Sequence, residues 1–259
     1  MQPVSYRVVA FNTATASTNK IHDDEVAKAY GFRGGLVPGV DVYAYMTHLP
    51  AETWGRAWLE DGSISARFIA PVYDGETVDI VATDGPDGLE LTVTGNDGST
   101  RATGRAALGA SPPDGPEPPP GELPALRPPA SPDSLRPGTI LGSISDVFSA
   151  QRAAPYLADV RESLPVYAEH GVAHPGWLLR FANSVLSRNV ELGPWIHVSS
   201  DVALCGLVED GEAVETRAIV VDERERSGHR FVTLDVATSA RDRCVQRVTH
   251  TAIHTPRRG

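Results

Sequence analysis

Cysteine is nearly missing from this chain: Cys205 and Cys244 are the only two in 259 residues, in separate segments without a short Cys or His pairing pattern. That scarcity excludes a disulfide framework and a structural zinc site as organising devices. Both cysteines are expected to be small core or half-buried residues. Long apolar runs are absent as well, none approaching the roughly 18 residues of a membrane span. The opening Met1-Gln2-Pro3-Val4-Ser5-Tyr6 lacks a basic stretch followed by an apolar one. A cytoplasmic protein without a membrane partner is the expectation. Positive charge is in deficit, 23 Lys and Arg against 33 Asp and Glu for a net charge of −10, and the arginines are scattered apart from Arg257-Arg258. No nucleic-acid footprint is present, although a local basic patch for a phosphorylated carrier stays compatible with that balance. A phosphate loop ending in Gly-Lys-Ser/Thr is also lacking, so Gly34-Gly35 and Gly39 serve tight turning and close backbone approach. Nothing in the sequence calls for a metal or a cofactor.

What is present suits a substantial core, with 41% hydrophobic and 22% charged residues. Proline is concentrated between Ala110 and Pro137, in the run ASPPDGPEPPPGELPALRPPASPDSLRP. Its density forbids helix interiors and central strands. Such a run acts as a semi-rigid spacer of about 3 Å per residue, able to cross the face of a domain. The chain divides accordingly into 1–109, a linker 110–137, and 138–259.

The two flanking parts repeat one another. Tyr30 to Gly39 lines up with Tyr167 to Gly176, each segment ending in Pro-Gly and entering an apolar helical run, Val40 to Leu49 in the first part and Trp177 to Leu186 in the second. Apolar residues on nearly all sides mark these as buried helices, the first expected to stop at Pro50. Further on, Ala70 to Val78 matches Gly206 to Val214, both carrying an Asp-Gly turn between alternating apolar runs. Strand-like alternation then covers Val78 to Ala82, Leu89 to Thr94 and Arg101 to Leu108, and again Val214 to Val221, His229 to Ala237 and Val245 to His254. One central helix followed by antiparallel strands, twice over, predicts an α+β fold of two helix-wrapped sheets joined by the linker.

The chemistry concentrates in the first part. The run Ser17-Thr18-Asn19-Lys20-Ile21-His22-Asp23-Asp24-Glu25-Val26-Ala27-Lys28-Ala29-Tyr30-Gly31-Phe32, followed by Leu36-Val37-Pro38-Gly39, resembles the signature of MaoC-like hydratases and dehydratases, the R-specific enoyl-CoA hydratase group. That signature has the form Asp-x-Asn-Pro-x-His, then an acidic residue, an Ala-x-x-x-Gly-Phe stretch and an apolar segment ending in Gly. The resemblance implies a double hotdog with an acyl-CoA or acyl-carrier-protein thioester in the groove between halves. It also implies that water is added to, or removed from, an α,β-unsaturated or β-hydroxy acyl group. By position it makes His22 the acid/base, Asn19 an orienting amide, and the backbone N–H of Gly39 or Val40 the donor to the thioester oxygen, where enolate charge develops.

Ser17 stands where the family places its catalytic aspartate, and at its normal pKa serine is no general base. Three explanations are open: Asp41, with Asp23 and Asp24 as weaker candidates, takes the role; His22 acts alone on an easier elimination; or the site binds or catalyses something else. Intramolecular addition of a substrate hydroxyl is one variant, and an acyl thioesterase or a non-catalytic binding subunit are alternatives. Ser17 is then a substrate contact or a turn residue, and Asn19 has a capping reading beside the orienting one. His174 either faces the same groove or is structural. His48, His197, His250 and His254 show no partner pattern and read as structural or exposed. The second part carries Tyr156 and Asp159 where the first has Asn19 and His22, so one active site per chain is expected. A homodimer through sheet edges is the expected assembly.

Overall fold

The computed structural model describes residues 3–15, 17–109 and 112–257. Ala110 and Ser111, the first residues of the proline-rich linker, and Arg258 of the basic tail lie outside the described residues.

Among the described residues, ten strands form a single antiparallel sheet. In chain order they are β1 Val4–Val9, β2 Gly62–Phe68, β3 Thr77–Gly85, β4 Gly88–Gly95, β5 Thr100–Leu108, β6 Ile140–Val147, β7 Ile196–Leu204, β8 Ala213–Arg226, β9 His229–Ala240 and β10 Arg243–Thr255. Their spatial order, β1-β3-β4-β5-β2-β7-β10-β9-β8-β6, reads the same from either end once the halves are matched. The two predicted sheets therefore run on into one through β2 and β7, paired from Gly62 opposite Leu204 to Arg67 opposite Ser199.

Six α-helices accompany the sheet among the described residues: α1 Asp24–Ala29, α2 Gly39–Trp54, α3 Arg56–Glu60, α4 Ala150–Asp159, α5 Pro165–His170 and α6 Pro175–Asn189. Every residue of α2 from Val40 to Ala51 is buried, as expected of a helix wrapped by a sheet. It runs past the predicted stop at Pro50, which lacks only one backbone donor. The surrounding burial outweighs that single loss. No helix among the described residues is long and apolar enough to cross a membrane.

The repeated Asp-Gly turns explain why the halves fold alike. Gly75 and Gly211 adopt φ of +72° and +82°, a left-handed conformation that favours glycine. The glutamate that follows is buried in each copy: Glu76 accepts from Tyr73 N–H and pairs with Arg101 of β5, while Glu212 accepts from Glu209 N–H and pairs with Arg243 of β10. The linker is laid against the second half, with Leu135 fully buried, Ala130 N–H donating to the Glu191 carbonyl and Arg127 Nη1 donating to the Ser187 carbonyl. Cys205, one residue past β7, and Cys244 of β10 are distant in sequence and both half-buried, Cys205 N–H reaching the carbonyl of Val245.

Candidate functional site

Asn19 caps the 3₁₀ turn Lys20–His22 and fastens it to the other half of the molecule. Its Oδ1 accepts from the N–H groups of Ile21 (3.3 Å) and Trp195 (3.2 Å), while Nδ2 donates to the Trp195 carbonyl (3.0 Å). The next loop is folded back onto the turn: Leu36 N–H donates to the Ile21 carbonyl, and a Cβ on Gly35 would lie 2.2 Å from the His22 carbonyl oxygen. This close approach requires glycine at position 35.

The same loop sets the tautomer of His22. Its Nδ1 lies 2.7 Å from the Leu36 carbonyl, which can only accept, so Nδ1 carries the proton and the neutral ring has its lone pair on Nε2. Asn19 Nδ2 stands 3.4 Å from that nitrogen. Burial pushes the His22 pKa below its ordinary value, opposed by the Leu36 bond and the charge of Asp41. His22 is therefore a neutral base near pH 7, held in one orientation.

Two cavities meet at this imidazole. One of about 370 Å³ is mostly apolar, lined among others by Ile21, Phe32, Val42, Phe68 and Phe231. The other, of about 320 Å³, is the more polar of the two, with Thr13, Ser17, Thr18, Arg180 and Ser184 in its wall. Asn19, His22, Pro38, Asn183 and Trp195 line both and form their junction. Gly39 opens on the apolar cavity and Val40 on the polar one. Helix α2 starts here; its Asp41 and Val42 N–H groups turn back to the Pro38 carbonyl, whereas those of Gly39 and Val40 have no acceptor among the described residues. Two free amides at the positive end of a buried helix form a ready pair of donors for a developing oxyanion.

The carboxylates weighed as replacements for the missing aspartate are committed elsewhere. Asp41 is fully buried, with Arg180 Nη2 at 2.7 Å and Thr13 Oγ1 at 2.6 Å, and it lines neither cavity. Asp23 caps α1 through the N–H groups of Glu25 and Val26, and Asp24 accepts from Gly35 N–H at 2.7 Å. Ser17 Oγ accepts from Asn19 N–H at 3.1 Å, a turn contact made at the edge of the polar cavity.

His174 lies away from both cavities. Its Nδ1 accepts from Gly176 N–H at 3.0 Å and caps α6, while Nε2 faces Thr47 Oγ1 (3.3 Å) and Glu162 Oε2 (3.5 Å). Glu162 also binds His48 Nδ1 at 3.0 Å. Burial works to raise the Glu162 carboxyl pKa, but hydrogen bonds from His174, His48 and the Leu164 N–H hold it well below the usual range. These two histidines thus clasp the halves together around a buried carboxylate. In the second half, the Tyr156 hydroxyl covers Gly176, the counterpart of Gly39: an added Cβ there would meet it at 2.4 Å.

Sequence reading missed Asn183, Trp195 and His197 as cavity residues. His197 reads from sequence as structural or exposed, Trp195 is one of four tryptophans without a motif, and Asn183 stands among Arg180, Ser184 and Asn189 on its helix, so no local signal singles it out. His197 packs on the start of α2, so that a Cβ on Gly39 would lie 2.9 Å from its Nδ1. It cannot easily give way, because Nε2 bonds Ser200 Oγ at 2.8 Å, which in turn meets His250 Nδ1 at 3.0 Å. Gly39→Ala is expected to shift His197 or α2, lowering stability by about 1–3 kcal/mol and turnover by roughly tenfold or more. Melting curves and steady-state kinetics check this, and a variant neutral in both would refute the tight packing.

Burial holds His197 well below its ordinary pKa, with His250 adding repulsion, and pushes His250 down to about 3. Unfolded histidines titrate near pH 6.5, so the unfolded chain takes up protons that the folded chain refuses. Their stabilising contribution is complete above about pH 6.5 and is lost as pH falls, by up to about 1.4 kcal/mol per pH unit for each ring. The melting temperature is therefore expected to be flat around pH 7–8 and to drop steadily toward pH 5. An unchanged value at about pH 5 would contradict two buried neutral rings.

No protein-family model matches the chain, and no curated protein does. Solved structures do. A conserved hypothetical protein from Mycobacterium tuberculosis, described as essential for bacterial survival during infection and as having a double hotdog fold, is 16% identical with a TM-score of 0.66, over 98% of this chain and 96% of that one. A protein described as a MaoC domain dehydratase from Chloroflexus aurantiacus is 12% identical with a TM-score of 0.65, over 100% of this chain and 95% of that one. One described as an oleoyl thioesterase from Lactobacillus plantarum is 11% identical with a TM-score of 0.55, over 99% and 97%. These likenesses establish the fold, a double hotdog.

Proposed function

We propose that the protein is a hydratase/dehydratase acting on an α,β-unsaturated or β-hydroxy acyl thioester of coenzyme A or a carrier protein. The observation that carries this reading is the neutral His22, its Nδ1 proton held on the Leu36 carbonyl, at a cavity junction beside the free N–H groups of Gly39 and Val40. The acyl chain occupies the apolar cavity and the polar arm of the carrier the other.

In the hydration direction, His22 Nε2 takes a proton from water as its oxygen bonds to Cβ. The Cα=Cβ electron pair shifts to join Cα to the carbonyl carbon, the C=O pair moves onto the thioester oxygen, and the Gly39 and Val40 amides stabilise that charge. The imidazolium then returns a proton to Cα as the carbonyl re-forms, leaving one water added and His22 neutral. A single imidazole thus serves as base and acid in turn, which suits a site whose nearby carboxylates are all engaged. A hydroxyl on the substrate itself replaces the water in the intramolecular variant.

Crotonyl-CoA tests the reading. Loss of the enoyl absorbance without release of free thiol supports it. Thiol release from saturated acyl-CoA would move the protein to the thioesterases, a chemistry that this fold also hosts. Binding with no turnover of any thioester would leave a non-catalytic acyl-thioester binding subunit.

A further inference from the structure

Helix α6 presents one polar side chain to the junction of the two cavities, and it belongs to the half without the His22 motif. We infer that Asn183 holds the reacting oxygen opposite His22, the water that adds or the 3-hydroxyl that leaves; the assignment rests on the hydratase/dehydratase reading. Its neighbours Leu179, Ala182, Val185 and Leu186 are buried in the core, whereas Asn183 lines both cavities. Its Oδ1 is sealed in without a hydrogen-bond partner, and its amide nitrogen has no protein acceptor among the described residues. A buried carboxamide oxygen left unpaired is costly and uncommon. A ligand oxygen at the junction gives its N–H group an acceptor.

The other amide at the junction and the nearest cation are taken. Asn19 spends its carboxamide on Trp195 and Ile21, with Nδ2 also facing His22 Nε2 at a long 3.4 Å. Arg180, one turn earlier on α6, is bound to Asp41 and Thr13 and lies over the Tyr156 ring at 4.3 Å. Asn183 remains uncommitted. His22 Nε2 accepts and the Asn183 amide donates, so an oxygen bearing one proton and a lone pair is matched on both sides. Asn183 in this role orients the oxygen toward Nε2 and takes no proton itself. The site is then composite, with base and oxyanion amides from the first half and the oxygen holder from the second.

Calorimetric binding of 3-hydroxybutyryl-CoA and butyryl-CoA, alongside crotonyl-CoA kinetics, tests the assignment in wild type, Asn183→Ala and Asn183→Asp. Wild type is expected to favour the hydroxylated ligand by about fivefold or more, and Asn183→Ala to erase that preference. Its kcat is expected to fall at least about tenfold with KM little changed. In Asn183→Asp, the new carboxylate beside His22 should move the acid limb of the pH–rate profile upward by about one unit. An Asn183→Ala protein of wild-type melting temperature that keeps the preference and the rate within about twofold overturns the proposal. If wild type hydrates nothing yet shows a hydroxyl preference that Asn183→Ala removes, the hydratase reading fails while the contact to Asn183 stands.

Discussion

His22→Ala is expected to lower kcat/KM for crotonyl-CoA hydration by about 10²–10⁴-fold, the range for removing a positioned acid/base. The loss should be uncompensated. Asp23 and Asp24 are bound to backbone amides, Asp41 to Arg180 and Thr13, and His197 to Ser200. None can swing to Nε2's place without breaking the bonds it makes. The pH profile carries the same information with a definite sign. Only the neutral ring can take the water's proton, and burial lowers its pKa. Activity should therefore persist below the ordinary histidine value of about 6.5 and fall only in more acidic solution. An alanine variant within about threefold of wild type, or an acid limb above pH 7, would remove His22 from the mechanism.

Arg180→Met is expected to cost about 3–5 kcal/mol, because it strands a fully buried Asp41 carboxylate. For a chain of this size that corresponds to a fall in melting temperature of roughly 10 °C. Combining Arg180→Met with Asp41→Asn should recover part of the loss, since no buried charge then remains unpaired. Arg180→Lys should fall between, keeping the charge while giving up the fork that reaches Asp41 and Thr13 together. A drop of under about 1 kcal/mol for Arg180→Met would mean that water reaches Asp41, reopening it as a proton acceptor.

Much of this was legible in the sequence where the signals are local. The Pro-Gly helix entries, the Asp-Gly turns and the proline-rich run mark the repeat because each imposes a backbone geometry on its own few residues. The strands at the seam were missed for a physical reason. In β2 the buried positions are Gly62, Ile64 and Ala66, and a Cβ on Gly62 would lie 2.3 Å from Trp58. In β7 the buried residues include His197 and Ser200. Small and polar residues fill this seam, so hydrophobic alternation fades where the sheet is most enclosed. The outer strand β6 is irregular for another reason, a register shift between Leu141 and Ile144. The site divides the same way. His22, Asn19 and Gly39 lie in one short stretch and could be read together, whereas the Arg180–Asp41 pair spans 139 positions and left no pattern.

The Tyr156 hydroxyl over Gly176 has a consequence for stoichiometry. Two identical subunits would be bound by symmetry to carry equal sites, but a covalent tandem is released from that obligation. One copy can keep an open pocket while the other invests the matching space in a tyrosine, a cation above its ring and a donor aimed across the boundary. Each polypeptide should then titrate a single equivalent of ligand, and mutations in the silent copy should be felt at the working one.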